Sequence, residues 1–394
     1  MSKRPVKQDN DNNRVYLVWQ KLKRDLWFQF PSQDLLYAVS LLLTAELAYA
    51  NNDSIQLPQN QAASVAIQNQ FHHIDTLNIH DPAVIADPVS KMYYVYDSFQ
   101  QGSKYDKLTS KSGNSGVQVY WSQDLVHWQG PQLVYEIPND SWAEPMHAPW
   151  APEVSFYKGK YYLFTTLHNY KNVMFKPDDR PLIHQRGTQI FVSDSPFGPF
   201  KRFANQPHTP LNEMALDGTL WIEDGQPWMI YCQEWLQTGY GLFKAIKLSE
   251  DLSKSIGNPI ILFSAADANW TERTTSYGGF ANIQASISDG PWPYKTKDGR
   301  LLIMWSSWNK DREKAYTTSF AYSDNGKLSG NWLQREQPVI DGDRGHGNIF
   351  KTFDGELRVA LHRYFNQPFT RLQIYSAEDT GDTIKIGPQM LGHR

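Results

Sequence analysis

Residues 79–98 read IHDPAVIADPVSKMYYVYDS: an aspartate before a proline, an apolar run, a polar turn and a second run of strand-forming residues. The unit returns as WAPEVSFYKGKYYLFTT from 150, LDGTLWIEDGQPWMIYCQEW from 216, SDGPWPYKTKDGRLLIMWSS from 288 and GHGNIFKTFDGELRVALH from 345. Each copy is a short motif, a strand-like run, a turn of Gly, Asp, Asn or Lys, and a second run rich in Tyr, Val, Ile, Leu and Met. A further strand pair follows each copy: GVQVYWSQDLVHWQG, TQIFVSDSPFGPFK, GLFKAIKLSEDL, TSFAYSDNGKLSGNW and LQIYSAEDTGD. Four strands per unit, at spacings of 57 to 72 residues, is the signature of propeller blades, which hide sheet edges by radial repetition. The sequence therefore predicts an all-β fold: a five-bladed β-propeller over residues 75–394, preceded by an N-terminal extension, 1–74.

The extension carries its own signal. Residues 35–50, LLYAVSLLLTAELAYA, form an apolar run ending in Ala-Tyr-Ala, behind Lys21, Lys23 and Arg24. This reads as a secretory h-region with a small-residue cleavage site, although the lead-in is long and Asp34 and Glu46 flank or interrupt the run. An amphipathic helix is the other reading, since the run is too short to span a bilayer. The polar segment that follows, NNDSIQLPQNQAASVAIQNQ, reads as a linker and favours export, to the periplasm or beyond, over a cytoplasmic location. No clear membrane anchor is expected.

Charge excludes one class of partner. With 38 basic against 41 acidic residues, a net charge of -3 and no long Lys/Arg run, the chain lacks the means to track a phosphate backbone, so nucleic acid is not expected. Cys232 is the single cysteine, which rules out an intramolecular disulfide or a cysteine zinc cluster. Aromatic residues are abundant at 14%. They pack β cores, and they also stack on the apolar faces of sugars.

In a propeller the first strand of every blade lines the central channel and starts from the same face. The starts of the five repeats bring together Asp81, Glu153, Asp217, Asp289 and His346. Asp before Pro or Gly is often only a turn cap bonded to its own backbone. Like charges gathered at one end of a channel destabilise one another and raise the pKa of at least one member, an arrangement tolerated mainly where chemistry uses it. Glycoside hydrolysis needs such a set: a carboxylate as base for water and a protonated carboxyl for the leaving oxygen, spaced to admit that water in an inverting reaction.

The motifs HDPAVI, WAPEVSFYKGKYYLF, DGTLWIEDGQPWMIY and SDGPWPYK, in that order over nearly all of residues 79–370, resemble glycoside hydrolase family 43, five-bladed propeller hydrolases of arabinose- and xylose-containing glycans. The resemblance implies that Asp81 is the general base and that Asp217 orients the acid and raises its pKa. Glu153 takes a position near the sugar, with a structural role as its alternative. Where the family has Glu-Gly-Pro, this chain has Asp289-Gly290-Pro291. Aspartate is one methylene shorter, and small displacements of a proton donor reduce rate greatly. Glu234, in YCQEW, ends the second strand of its blade on the same face and is the second candidate acid. His346 matches a histidine that borders the channel and in some members helps hold calcium through water. A hydrogen-bonded channel histidine is the alternative, and neither another metal nor a required cofactor is expected. Among Trp150, Trp221, Trp235 and Trp292, near blade starts or strand ends, at least one is expected to form a sugar-stacking wall. The implied activity is inverting release of a terminal pentose, α-L-arabinofuranose first and xylose or galactofuranose as alternatives, from an oligosaccharide or polysaccharide. A carbohydrate-binding propeller without activity is the rival reading.

Overall fold

Runs such as Tyr93–Phe99 and Tyr316–Ser323, dense in aromatic and β-branched residues, are buried along almost their whole length, as strands covered on both faces must be. The computed structural model describes residues 70–393 apart from 104–107 and 109. The apolar run at 35–50 lies outside the described residues.

Five antiparallel blades form in chain order. The first holds β1 (Phe71–His73), β2 (Ala83–Ala86), β3 (Tyr93–Phe99), β4 (Gly116–Ser122) and β5 (His127–Glu136), with β1 added beyond β5 on the outer edge. β1 falls within the segment that the sequence assigns to the extension. The second holds β6 (Trp150–Tyr157), β7 (Lys160–Phe175), β8 (Ile183–Ser193) and β9 (Lys201–Arg202). The third holds β10 (Ala215–Glu223), β11 (Gln226–Gln233), β12 (Leu242–Leu248) and β13 (Ser255–Ser264). A separate hairpin, β14 (Thr274–Tyr277) and β15 (Phe280–Gln284), precedes the fourth blade. That blade holds β16 (Asp289–Lys295), β17 (Leu301–Trp308), β18 (Tyr316–Ser323) and β19 (Trp332–Gln334). The fifth holds β20 (Arg344–Lys351), β21 (Leu357–Arg363), β22 (Arg371–Asp379) and β23 (Ile384–Leu391).

Each seam between neighbouring blades has its own apolar cluster. Tyr96 and Val119 meet Leu163 and Phe191 between blades one and two, and Phe243 and Ile230 meet Ile303 and Trp305 between three and four. The closing seam joins Val84 and Val95 to Phe350 and Ile374. No strand is exchanged there among the described residues. Instead the Asn348 side chain bonds both the N–H and the C=O of Val84, at 2.9 and 2.8 Å, splicing the inner strand of blade five to that of blade one.

The inner strands share one irregularity, and it builds the site. Asp81, Ala151, Asp217, Gly290 and His346 all have positive φ, of 53°, 43°, 55°, 56° and 38°. Strand pairing slips at the same place in blades two to five. A bulge there turns one residue per blade toward the axis. In three blades the N–H of the bulged residue is caught by a side chain of the preceding blade's second strand: Asp81 by His362, Asp217 by Thr166, His346 by Ser306.

Candidate active site

The bulges open onto a cavity of about 910 Å³ to which all five blades contribute. Asp81, Asp217 and Asp289 all line it, and so do Glu234 and His346. Trp150 and Trp235 belong to its wall. Glu153 does not line it: three residues into its strand it is buried, hydrogen bonded to Thr219, with Oε2 lacking a partner. Trp292 is a correction to the aromatic assignment. It lies past the bulge, paired with Met304, and packs into the seam between blades four and five. Trp221 likewise packs into a seam.

The equivalence of the repeats also shifts by one residue. The position matching Asp81 and Asp217 in blade four is Gly290, not Asp289. A side chain there would place its Cβ 2.7 Å from the His346 ring, so the blade carries glycine at the bulge and supplies its carboxyl from the residue before.

Asp81 sits among three histidines. His80 Nδ1 is 2.9 Å from one carboxylate oxygen, and His346 Nδ1 and His362 Nδ1 are 3.3 and 3.2 Å from the other. Burial opposes charge on Asp81, yet the facing His346 and His80 outweigh it and hold the carboxyl well below its usual range. Burial also works against a charged His80, but Asp81 overrides it and lifts the imidazole to about 8. His346 and His362, fully enclosed, are pushed down to about 4. One imidazole of the three thus carries the countercharge near neutral pH.

Asp289 lives in the opposite regime. Burial, then the nearby Glu234 carboxyl, push it up to about 8, against a hydrogen bond from the Tyr316 hydroxyl at 2.9 Å. Asp217 is raised as well, by burial and by the charges of Asp289 and Asp81. Glu234 immediately precedes α1 (Trp235–Thr238) and accepts a hydrogen bond from the buried Arg186 guanidinium. Burial pushes Glu234 up while Arg186 opposes the rise. Arg186 also stacks over Trp150, 4.3 Å from the ring centroid, and donates to His168 Nδ1. The arrangement offers one carboxyl favoured in its ionised form, one favoured in its protonated form, and aromatic rings in the wall of the same cavity.

His80, His362, Tyr316 and Arg186 were not among the residues that sequence reasoning selected. His80 adjoins Asp81 in IHDP, and His362 lies in the second strand of blade five opposite Gly345, the position that Thr166 and Ser306 hold in blades two and four. Tyr316 and Arg186 act from third strands, for which the repeat carries no marker.

Known proteins give a consistent picture. The family model described as Glycosyl hydrolases family 43 matches residues 72–379. An endo-arabinase from Bacteroides thetaiotaomicron VPI-5482 is 31% identical, with a TM-score of 0.65 over 82% of this chain and 98% of that one. An alpha-L-arabinofuranosidase from Lactobacillus brevis is 16% identical, with a TM-score of 0.56 over 80% and 94%. An alpha-L-arabinanase from Cellvibrio cellulosa, solved with arabinohexaose, is 16% identical, with a TM-score of 0.51 over 79% and 96%. No curated protein sequence matches the chain.

Proposed function

We propose, from the premise that the chain belongs to the glycosyl hydrolases of family 43, that it hydrolyses α-L-arabinofuranosyl linkages in an oligosaccharide or polysaccharide with inversion at the anomeric carbon. One observation carries the reading: Asp81 and Asp289 line a single cavity while their surroundings drive them to opposite protonation states. That separation supports Asp81 as the base and Asp289 as the acid. Asp81 takes a proton from water, whose oxygen bonds to the anomeric carbon. Asp289 gives its proton to the departing glycosidic oxygen as the old bond breaks. Asp217 helps keep that proton in place. Glu234, held by Arg186, is the charged neighbour that raises Asp289 rather than the donor itself. The likeness to the endo-arabinase favours arabinose over xylose or galactofuranose.

The calcium that the resemblance implies fits only an indirect place. Asp81 and Asp217 face Nδ1 of His346, while its buried Nε2 has no hydrogen-bond partner among the described residues. Calcium prefers oxygen ligands, so a water would stand between the ion and that nitrogen. There it would add fixed positive charge to the channel. Export through residues 35–50 accords with a polymeric substrate met outside the cytoplasm.

The test is a screen of nitrophenyl α-L-arabinofuranoside, β-xyloside and galactofuranoside, with proton NMR of the first sugar released. Turnover of the arabinoside with inversion, lost in Asp81→Asn, is the expected result. Retention, or a preference for another sugar, would overturn the corresponding part of the reading.

A further inference from the structure

The β14–β15 hairpin belongs to no blade. It is a two-stranded insertion between blades three and four, closed by Gly278 and Gly279, both at positive φ, between the paired Tyr277 and Phe280. Such a tight turn fixes the direction of the flanking side chains. Its base is anchored: Ile283 packs with Trp235, Leu236 and Met214, and the Gln284 amide donates to the Tyr240 hydroxyl. Its tip is braced as well, because Gly278 lies so close to Pro181 that an added Cβ would stand 2.7 Å from that ring. Yet Tyr277 keeps 51% of its surface exposed, lines the cavity, and meets the buried Trp235 edge-on at 5.9 Å between centroids. A rigidly held, exposed aromatic ring at a cavity rim is unexplained by packing.

We infer that Tyr277 is a stacking platform for the sugar on the leaving-group side of the scissile bond, so that the enzyme selects oligosaccharide chains over single substituted sugars. This rests on the hydrolase reading above. The side follows from chemistry. The proton donor must face the leaving oxygen; Asp289 and Glu234 line the same cavity, Glu234 is followed directly by Trp235, and Trp235 carries the Tyr277 contact. The sugar bearing the leaving oxygen therefore lies toward the hairpin. A cavity of about 910 Å³ stands near the top of the range for small-ligand sites, roughly 300–1,000 Å³, and leaves space beyond one ring.

The experiment compares kcat/KM on an arabino-oligosaccharide and on arabinofuranosyl fluoride, whose leaving group is too small to reach the hairpin. In Tyr277→Ala the ratio of oligosaccharide to fluoride activity should fall about tenfold, the scale of one lost ring contact, chiefly through KM. Tyr277→Phe and Tyr277→Trp, which keep a ring, should restore it. An unchanged ratio in Tyr277→Ala, or an equal fall in Tyr277→Phe, would overturn the platform. Wild-type protein inert on both substrates would sink the hydrolase reading instead. The platform would then be judged by calorimetric titration with the same oligosaccharide, where tighter binding to wild type than to Tyr277→Ala supports it and equal affinity rejects it.

Discussion

The backbone N–H of Gly290 donates to Asp217 Oδ2 at 3.1 Å, so the residue after the proposed proton donor is tied to that donor's carboxyl neighbour. The bond exists because Gly290 adopts a φ of +56° with the His346 ring against its α-carbon. Gly290→Ala would need both a strained backbone and movement of that ring. We expect it to lower stability by about 1–3 kcal/mol and to reduce kcat more than it raises KM. Urea melts beside steady-state kinetics check this. A variant of unchanged stability and kcat would mean the bulge tolerates a side chain.

The pH profile follows from the two opposed carboxyls. Asp81 must be ionised, and its depressed pKa places the acid limb well below the ordinary carboxylate range. Asp289 must be protonated, so activity should fall as pH rises through about 8. His80, also near 8, loses its charge in the same window. His80→Gln removes a cation from beside Asp81, so the Asp81 pKa should rise and the acid limb should move to higher pH. A fixed acid limb in that variant would show that His80 does not set the base.

Hairpin repetition alone located the blades, because strand pairs with turn residues recur whatever their neighbours do. The same repetition brought Asp81, Asp217 and Glu234 to one face. It could not resolve the single-residue bulge that makes Gly290 the equivalent of Asp217, since a bulge leaves the pattern of apolar residues nearly intact. Trp292 stands near a blade start in sequence, yet past the bulge its ring packs into a seam. The β14–β15 hairpin was missed because it breaks the period that organised everything else.

Closure of the ring gives a stability prediction. Asn348 satisfies both backbone polar groups of Val84 across the last seam, and all of these groups are buried. Asn348→Ala should leave an N–H and a C=O without partners, lowering stability by about 2–6 kcal/mol at roughly 1–3 per orphaned group. Denaturant titration should show a lower midpoint at constant m-value. Asn348→Asp, which retains only the acceptor, should fall on the destabilised side as well. A midpoint equal to wild type in both would show that apolar contacts alone close the ring.

The identity of the proton donor has a sharper test, because an acid matters most when the leaving group is poor. Asp289→Asn should cut kcat/KM on an arabino-oligosaccharide by about 10² to 10⁴-fold while sparing much of the rate on a dinitrophenyl glycoside, and it should abolish the alkaline limb near 8. Glu234→Gln keeps a hydrogen-bond acceptor for Arg186 but removes the charge that lifts Asp289. Its expected signature is therefore different: an alkaline limb moved to lower pH, weaker substrate binding as the Arg186–Trp150 wall loosens, and no strong dependence on the leaving group. Should Glu234→Gln instead show the leaving-group dependence while Asp289→Asn stays near wild type, the two roles exchange. Arg186 would then be the residue that restrains the acid, and Asp289 the charge that raises it.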